Sequence, residues 1–138
     1  MSDVHTKETR SFNMSRIQAK NTKPELIVRQ FLHKKGYRYR LHVKDLPGKP
    51  DLVFPKLRTI IQVNGCFWHG HEGCKYFSIP ATRKDWWESK IQRTIMKDAE
   101  NLEILTDLGW RVITIWECQL KGVRKASTLF DLAKTLEN

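Results

Sequence analysis

The sequence has no run of apolar residues approaching the roughly 20 that a membrane-spanning helix requires, and its opening from Met1 to Ser15 lacks the apolar stretch of a leader peptide. A membrane partner is therefore not expected, and a cytoplasmic location is. Cysteine is scarce: there are three, an odd number that does not suit a disulfide framework, so metal ligation and simple burial are the competing expectations. Carboxylates are scarce as well. Fifteen Asp and Glu stand against 25 Lys and Arg, which leaves +10 on 138 residues. Such a potential favours a polyanionic partner, DNA or RNA first, although a merely basic protein carries the same signature. No repeat or low-complexity tract divides the chain, and its length supports a single core.

Residues 1–20 read as a basic N-terminal arm, with Lys7, Arg10, Arg16 and Lys20 among Ser, Thr and Asn, and residues 21–138 as one domain. Thr22-Lys23-Pro24-Glu25 has the form of a capping box, followed by Ile27, Val28, Phe31 and Leu32 at helical spacing up to Gly36. Three strands are expected next, at Tyr37 to Val43, Leu52 to Phe54 and Thr59 to Val63. Thr82 with Asp85 can cap a long helix in which Trp87, Ile91, Ile95, Leu102 and Leu105 share a face, ending at Gly109. Trp110 to Trp116 reads as a fourth strand and Ala126 to Leu136 as a last amphipathic helix. The order α-β-β-β-α-β-α implies an α/β fold, a mixed central sheet flanked by helices.

Cys66, His71 and Cys74 form a C-x4-H-x2-C pattern in a loop rich in glycine, and Cys118 lies at the end of the expected fourth strand. Four such ligands fit a tetrahedral structural zinc site, closed because every ligand comes from protein. His69 competes with His71 for the histidine position. Burial alone would account for Cys118, but not for the crowding of Cys and His in one loop.

Pro50-Asp51 opens an apolar strand beside a second one that runs into this loop. A carboxylate at a strand end, with a neighbouring backbone carbonyl, can hold magnesium for phosphodiester chemistry. The acidic-x-Lys motif of many such nucleases would fall on Gln62-Val63-Asn64 and is missing. No lysine therefore stands near the attacking water, and His69, with its near-neutral unperturbed pKa, is the alternative general base. Each carboxylate also has a plainer reading: Asp51 as a turn residue after proline, Glu25 as part of the capping box, Asp98 as a solvated helix carboxylate. Phe67-Trp68 and Trp86-Trp87 could pack in the core, or Phe67, Trp68 and Trp86 could be presented as wedges that stack between bases, with Lys84, Lys90, Arg93 and Lys97 meeting phosphates.

Taken in order, Asp3-Val4-His5, Thr9-Arg10-Ser11, Asn13-Met14, Leu46-Pro47-Gly48-Lys49-Pro50-Asp51, Gly65-Cys66-Phe67-Trp68-His69, Pro80-Ala81-Thr82-Arg83, Leu108-Gly109-Trp110-Arg111-Val112 and Trp116-Glu117-Cys118 resemble the very-short-patch repair (Vsr-type) DNA mismatch endonucleases. The resemblance implies a restriction-endonuclease-like core with a structural zinc. It also implies Mg2+-dependent nicking 5′ of the T in T·G mismatches, the lesions left by deamination of 5-methylcytosine, and so a link to a cytosine-5 DNA methyltransferase and a repair polymerase in a bacterial cell. By the same resemblance Asp51 and the Val63 carbonyl hold one or two magnesium ions, His69 is the base and Glu25 organises the waters around the ion. Cys66, His71, Cys74 and Cys118 hold zinc, Phe67, Trp68 and Trp86 enter the duplex, Met14 inserts from the other groove, and Asp98 is an acid near the site. Two positions depart from the family pattern. Asn64 stands where a second histidine is expected and can hydrogen-bond phosphate but not act as a cationic acid. Thr94, near Lys90, replaces an amide residue expected to contact the mismatch. A monomer suits an asymmetric lesion cut on one strand. A nuclease for matched duplex and a non-catalytic zinc-bearing DNA-binding module are the rival expectations.

Overall fold

The computed structural model describes residues 21–138. Helix α1 spans Lys23–Lys34, strands β1, β2 and β3 span Arg40–Leu41, Leu52–Phe54 and Thr59–Asn64, helix α2 spans Lys84–Asp107, strand β4 spans Arg111–Trp116 and helix α3 spans Arg124–Glu137. The expected order of elements holds. The four strands form one mixed sheet in the order β1-β2-β3-β4, antiparallel except for the parallel pair β3 and β4, which the long α2 connects. A parallel pair needs such a crossover, and the helix covers one face of the sheet.

Alternation along the strands divides the core into two. Leu52, Phe54, Ile61, Val63 and Ile115 point to the side of α1 and α3, where they meet Val28, Leu32, Leu129, Leu132 and Leu136. Val53 and Ile60 point the other way, onto Leu105 of α2 with Trp110 and Val112 alongside. A period of two residues thus builds three layers, helices on either side of the sheet. Among the described residues no helix is long and apolar enough to cross a membrane.

Three local expectations need correction. Strand β1 has two residues, not seven, because His42 takes φ +46° and ends the extended run at the sheet edge. Helix α2 is not capped by Thr82: it starts after Arg83, which sits at φ +57° without a side-chain cap. Nor does α2 present one buried stripe. Ile91 and Leu105 are buried, but Ile95 and Leu102 are 37% and 47% exposed. A helix of 24 residues is about 36 Å long, whereas the six-residue strands beneath it cover about 20 Å, so much of α2 overhangs the sheet.

The overhang is met by the loop after β3. Gly70, at φ +60°, lies so close to Ile91 and Ile95 that an added Cβ would come within 2.8 Å and 2.7 Å of their side chains. Gly70→Ala should therefore lower stability by about 2–4 kcal/mol, combining left-handed strain with overpacking. Gly73→Ala, at φ +73° but with open space around it, carries the strain alone and should cost about 1 kcal/mol. Urea unfolding of the two variants reads the difference; equal losses would mean that the loop is not pressed onto α2.

Candidate active site and metal centre

The β2 and β3 ends bring Asp51 to the edge of the sheet. Its Oδ2 accepts the Val63 N–H at 2.8 Å, and its own N–H donates to Gln62 Oε1 at 3.2 Å. Gln62 stands at the acidic position of the missing acidic-x-Lys motif, so an amide serves as the neighbour's acceptor where a second metal carboxylate was sought. Asp51 is buried, and burial raises its carboxyl to about 6; the Val63 N–H works against the rise, the Glu25 charge adds to it, and His42 and His69 oppose it.

Glu25 is 1% exposed, a deeper burial than a capping residue requires. The expected box forms only in part. Thr22 Oγ1 accepts the Glu25 N–H at 3.3 Å, while Glu25 Oε1 accepts the N–H of Asn21 at 3.2 Å. Its Oε2 takes Arg29 Nη1 at 3.3 Å and His42 Nε2 at 2.8 Å. Glu25, His42 and Asp51 offer ligand atoms within 4.8 Å of one another. The sequence reading missed His42 and Arg29. Arg29 could have been found as the i+4 partner of Glu25 on a helix; nothing along the chain marked His42.

His69 and Asp98 come together from the loop and from α2. The Nδ1 of His69 lies 2.6 Å from Asp98 Oδ2. With the proton on Nδ1 facing the carboxylate, Nε2 keeps its lone pair, the state a general base needs. The solvated-helix reading of Asp98 is therefore replaced by a pairing with the candidate base. His69 is not in the metal cluster, where the histidine position is taken by His71.

That cluster comprises Cys66, His71, Cys74 and Cys118, whose Sγ and ring nitrogen atoms lie within 4.8 Å of one another. Cys118 Sγ and His71 Nδ1 are 3.5 Å apart, close to the edge of about 3.5 Å that ordinary zinc–sulfur and zinc–nitrogen bonds give a tetrahedron. Burial pushes the Cys66 thiol up to about 12, whereas the Tyr76 N–H holds Cys74 low. A soft divalent cation suits this donor set, because it would ionise the buried thiol. Trp116 stacks on His71 with centroids 3.9 Å apart and planes at 4°, and Glu117 Oε1 accepts the Cys66 N–H at 3.3 Å. The Trp-Glu-Cys string thus orients the cluster as well as supplying one ligand.

Phe67, Trp68, Trp86 and Trp87 form one aromatic cluster. Trp87 packs at its centre, 5.3 Å from Phe67, 5.6 Å from Trp68 and 4.8 Å from Trp86. Trp86 is 42% exposed, with the Arg83 guanidinium 4.8 Å above its ring. Lys90 is exposed on α2, and the Thr94 hydroxyl donates to the Lys90 carbonyl at 3.2 Å, which commits that proton to the helix. Asn64 closes β3 half-buried, paired with Trp116 of β4. Met14 lies outside the described residues.

The profile of the family described as DNA mismatch endonuclease Vsr matches residues 2–75. The chain is 47% identical over 123 residues to the type II nicking enzyme V.XorIIP of Xanthomonas oryzae pv. oryzae, covering 89% of this chain and 90% of that protein. It is 44% identical over 122 residues to the type II nicking enzyme V.NmeAIP of Neisseria meningitidis serogroup A, with 88% and 86% covered. It is 42% identical over 125 residues to DNA mismatch endonuclease Vsr of Escherichia coli K12, with 91% and 80% covered. With matches of this extent, the chain belongs to the Vsr family of DNA mismatch endonucleases.

Proposed function

We propose that the protein nicks one strand of duplex DNA 5′ of the T in a T·G mismatch, by Mg2+-dependent hydrolysis of the phosphodiester. The observation that carries this reading is the pairing of His69 Nδ1 with Asp98, which leaves Nε2 to act as the base, in a histidine whose charge acts on the buried Asp51 carboxylate at the sheet end. Asp51 and the Val63 carbonyl would hold the magnesium, one ion or two. In an extended strand the N–H and C=O of one residue point to the same side, so the Val63 carbonyl faces the side on which its N–H meets Asp51. A hard divalent cation bound there supplies neutralisation of the charge that develops on the scissile phosphate.

The other groups are this chain's own. His69 Nε2 takes the proton of the attacking water, and Asp98 steadies the imidazole as it becomes cationic. Glu25, buried and held by its donors, orders the waters around the ion. Asn64 donates to a phosphate oxygen. Phe67, Trp68 and Trp86 wedge into the base stack, Met14 enters from the opposite groove, and Lys90 and Thr94 lie along the mismatch. Cys66, His71, Cys74 and Cys118 hold one structural zinc that ties the loop carrying His69 to the end of β4. The fold is of the restriction-endonuclease type, acting as a monomer in the bacterial cytoplasm, after a cytosine-5 methyltransferase has created the deaminating base and before a repair polymerase resynthesises the strand.

The test is strand-resolved cleavage of labelled T·G and C·G duplexes with magnesium and with chelator. Magnesium-dependent nicking confined to the T strand is expected. Equal cutting of both duplexes would assign the protein to matched sites instead, and DNA binding without turnover would reduce it to a binding module.

A further inference from the structure

Glu25 and Asp51 are two buried carboxylates from different layers, α1 and the end of β2, brought within 4.8 Å. Their mutual repulsion has to be offset by donors. Arg29 contributes from within α1, one helical turn from Glu25. His42 differs, because it reaches both residues. Its Nε2 meets Glu25 Oε2 at 2.8 Å, the shortest contact that the carboxylate makes among the described residues, and its backbone N–H donates to the Asp51 carbonyl at 3.1 Å. To do this it holds φ +46°, a left-handed conformation that L residues seldom take and that Asn, Asp and His tolerate best. A strained backbone held at a buried polar junction marks a residue fixed by its surroundings for a task.

We propose that His42 is a positioning residue of the nicking reaction, its Nε2 holding the Glu25 carboxylate against Asp51 at the sheet end while its backbone anchors the Asp51 segment. This rests on the roles proposed above for Asp51 and Glu25.

Two substitutions separate the donor from the backbone. Asn suits the left-handed conformation, but its amide nitrogen ends one bond short of the His Nε2 position. Gln suits that conformation less well, but its Nε2 lies the same number of bonds from the backbone as that of His. Backbone preference therefore favours His42→Asn, whereas the positioning role favours His42→Gln. Nicking of a T·G duplex at saturating DNA should fall by about ten- to a hundredfold in His42→Asn, with DNA affinity unchanged, and should remain within about threefold of wild type in His42→Gln. In a Glu25→Ala background His42→Asn should cost nothing further, since there is no carboxylate left to hold. The proposal is overturned if His42→Asn nicks as fast as His42→Gln, or if the loss in His42→Asn adds to that of Glu25→Ala. The wild-type lane judges the function separately. Should it not nick, the function proposed above fails, and calorimetric Mg2+ titration of the DNA-free protein decides the role of His42: weaker binding in His42→Asn with wild-type binding in His42→Gln supports it, and equal binding in all three overturns it.

Discussion

Asp51→Asn is expected to nick on the order of a thousandfold more slowly than the wild type while melting at a higher temperature in metal-free buffer near neutral pH. The first effect follows from losing the charge that would hold magnesium beside the scissile phosphate. The second follows from the cost of keeping that charge buried. The Asp51 carboxyl is raised to about 6 from an ordinary value of 3.8, so ionising it in the folded protein is harder than in the unfolded chain. The penalty is absent below the unfolded value, grows as the pH rises through the interval between the two, and is full above 6; at about 1.4 kcal/mol per pH unit it reaches roughly 3 kcal/mol. Asparagine keeps an acceptor for the Val63 N–H and removes the penalty.

Two signatures check the assignment. The stability gap between Asp51→Asn and wild type should narrow as the pH falls from about 7 towards 5, because protonation relieves the wild type over that range. Magnesium should raise the melting temperature of the wild type and leave that of Asp51→Asn unmoved. Its apparent affinity for the wild type should weaken about tenfold per pH unit below 6, since only the ionised carboxylate binds. A variant that melts no higher than wild type at neutral pH, or one that still nicks, would remove Asp51 from the centre of the site.

The fold and the site were legible in the sequence to different depths. Element order followed from periodicity and stop signals, because the strands bury alternate residues on two faces and Gly36 and Gly109 end their helices as expected. Boundaries were less legible. The end of β1 and the start of α2 depend on left-handed residues other than glycine, His42 and Arg83, a conformation that residue type does not announce. The metal cluster was readable because four residues of two scarce types crowd a short motif and one strand end, and the choice between His69 and His71 became clear only when the fold set the His71 ring, and not that of His69, among the three cysteines. His42 was not readable at all. Its task is defined by Glu25 and by Asp51, which the fold brings beside it from α1 and from the end of β2, and no spacing along the chain encodes that meeting.

Removing metal from the Cys66, His71, Cys74 and Cys118 cluster should cost more than any single core substitution. Cys66 and Cys118 are buried at the junction of β3, β4 and the 3-10 turn Glu117–Leu120, which itself packs on α3. Structural zinc binding contributes an apparent 10 to 16 kcal/mol in small metal-folded peptides, about as much as or more than the whole stability of an ordinary domain. Even if only about 5 kcal/mol of that is realised as folding energy here, chelation should lower the melting midpoint by roughly 20 °C. Cys118→Ser should do the same without chelator, since it removes one ligand while leaving a side chain of similar size. Elemental analysis should find one zinc per chain in the wild type. Uptake by stripped protein should release protons, because the Cys66 thiol, held near 12 by burial, is neutral until metal ionises it, and affinity should therefore weaken as the pH falls. His69 rides on the same loop, three residues from Cys66 and two from His71, so nicking should disappear with the zinc even at saturating magnesium. A protein that contains no zinc, or that melts and nicks unchanged after chelation, would return Cys66 and Cys118 to simple burial and leave Cys74 without a metal role.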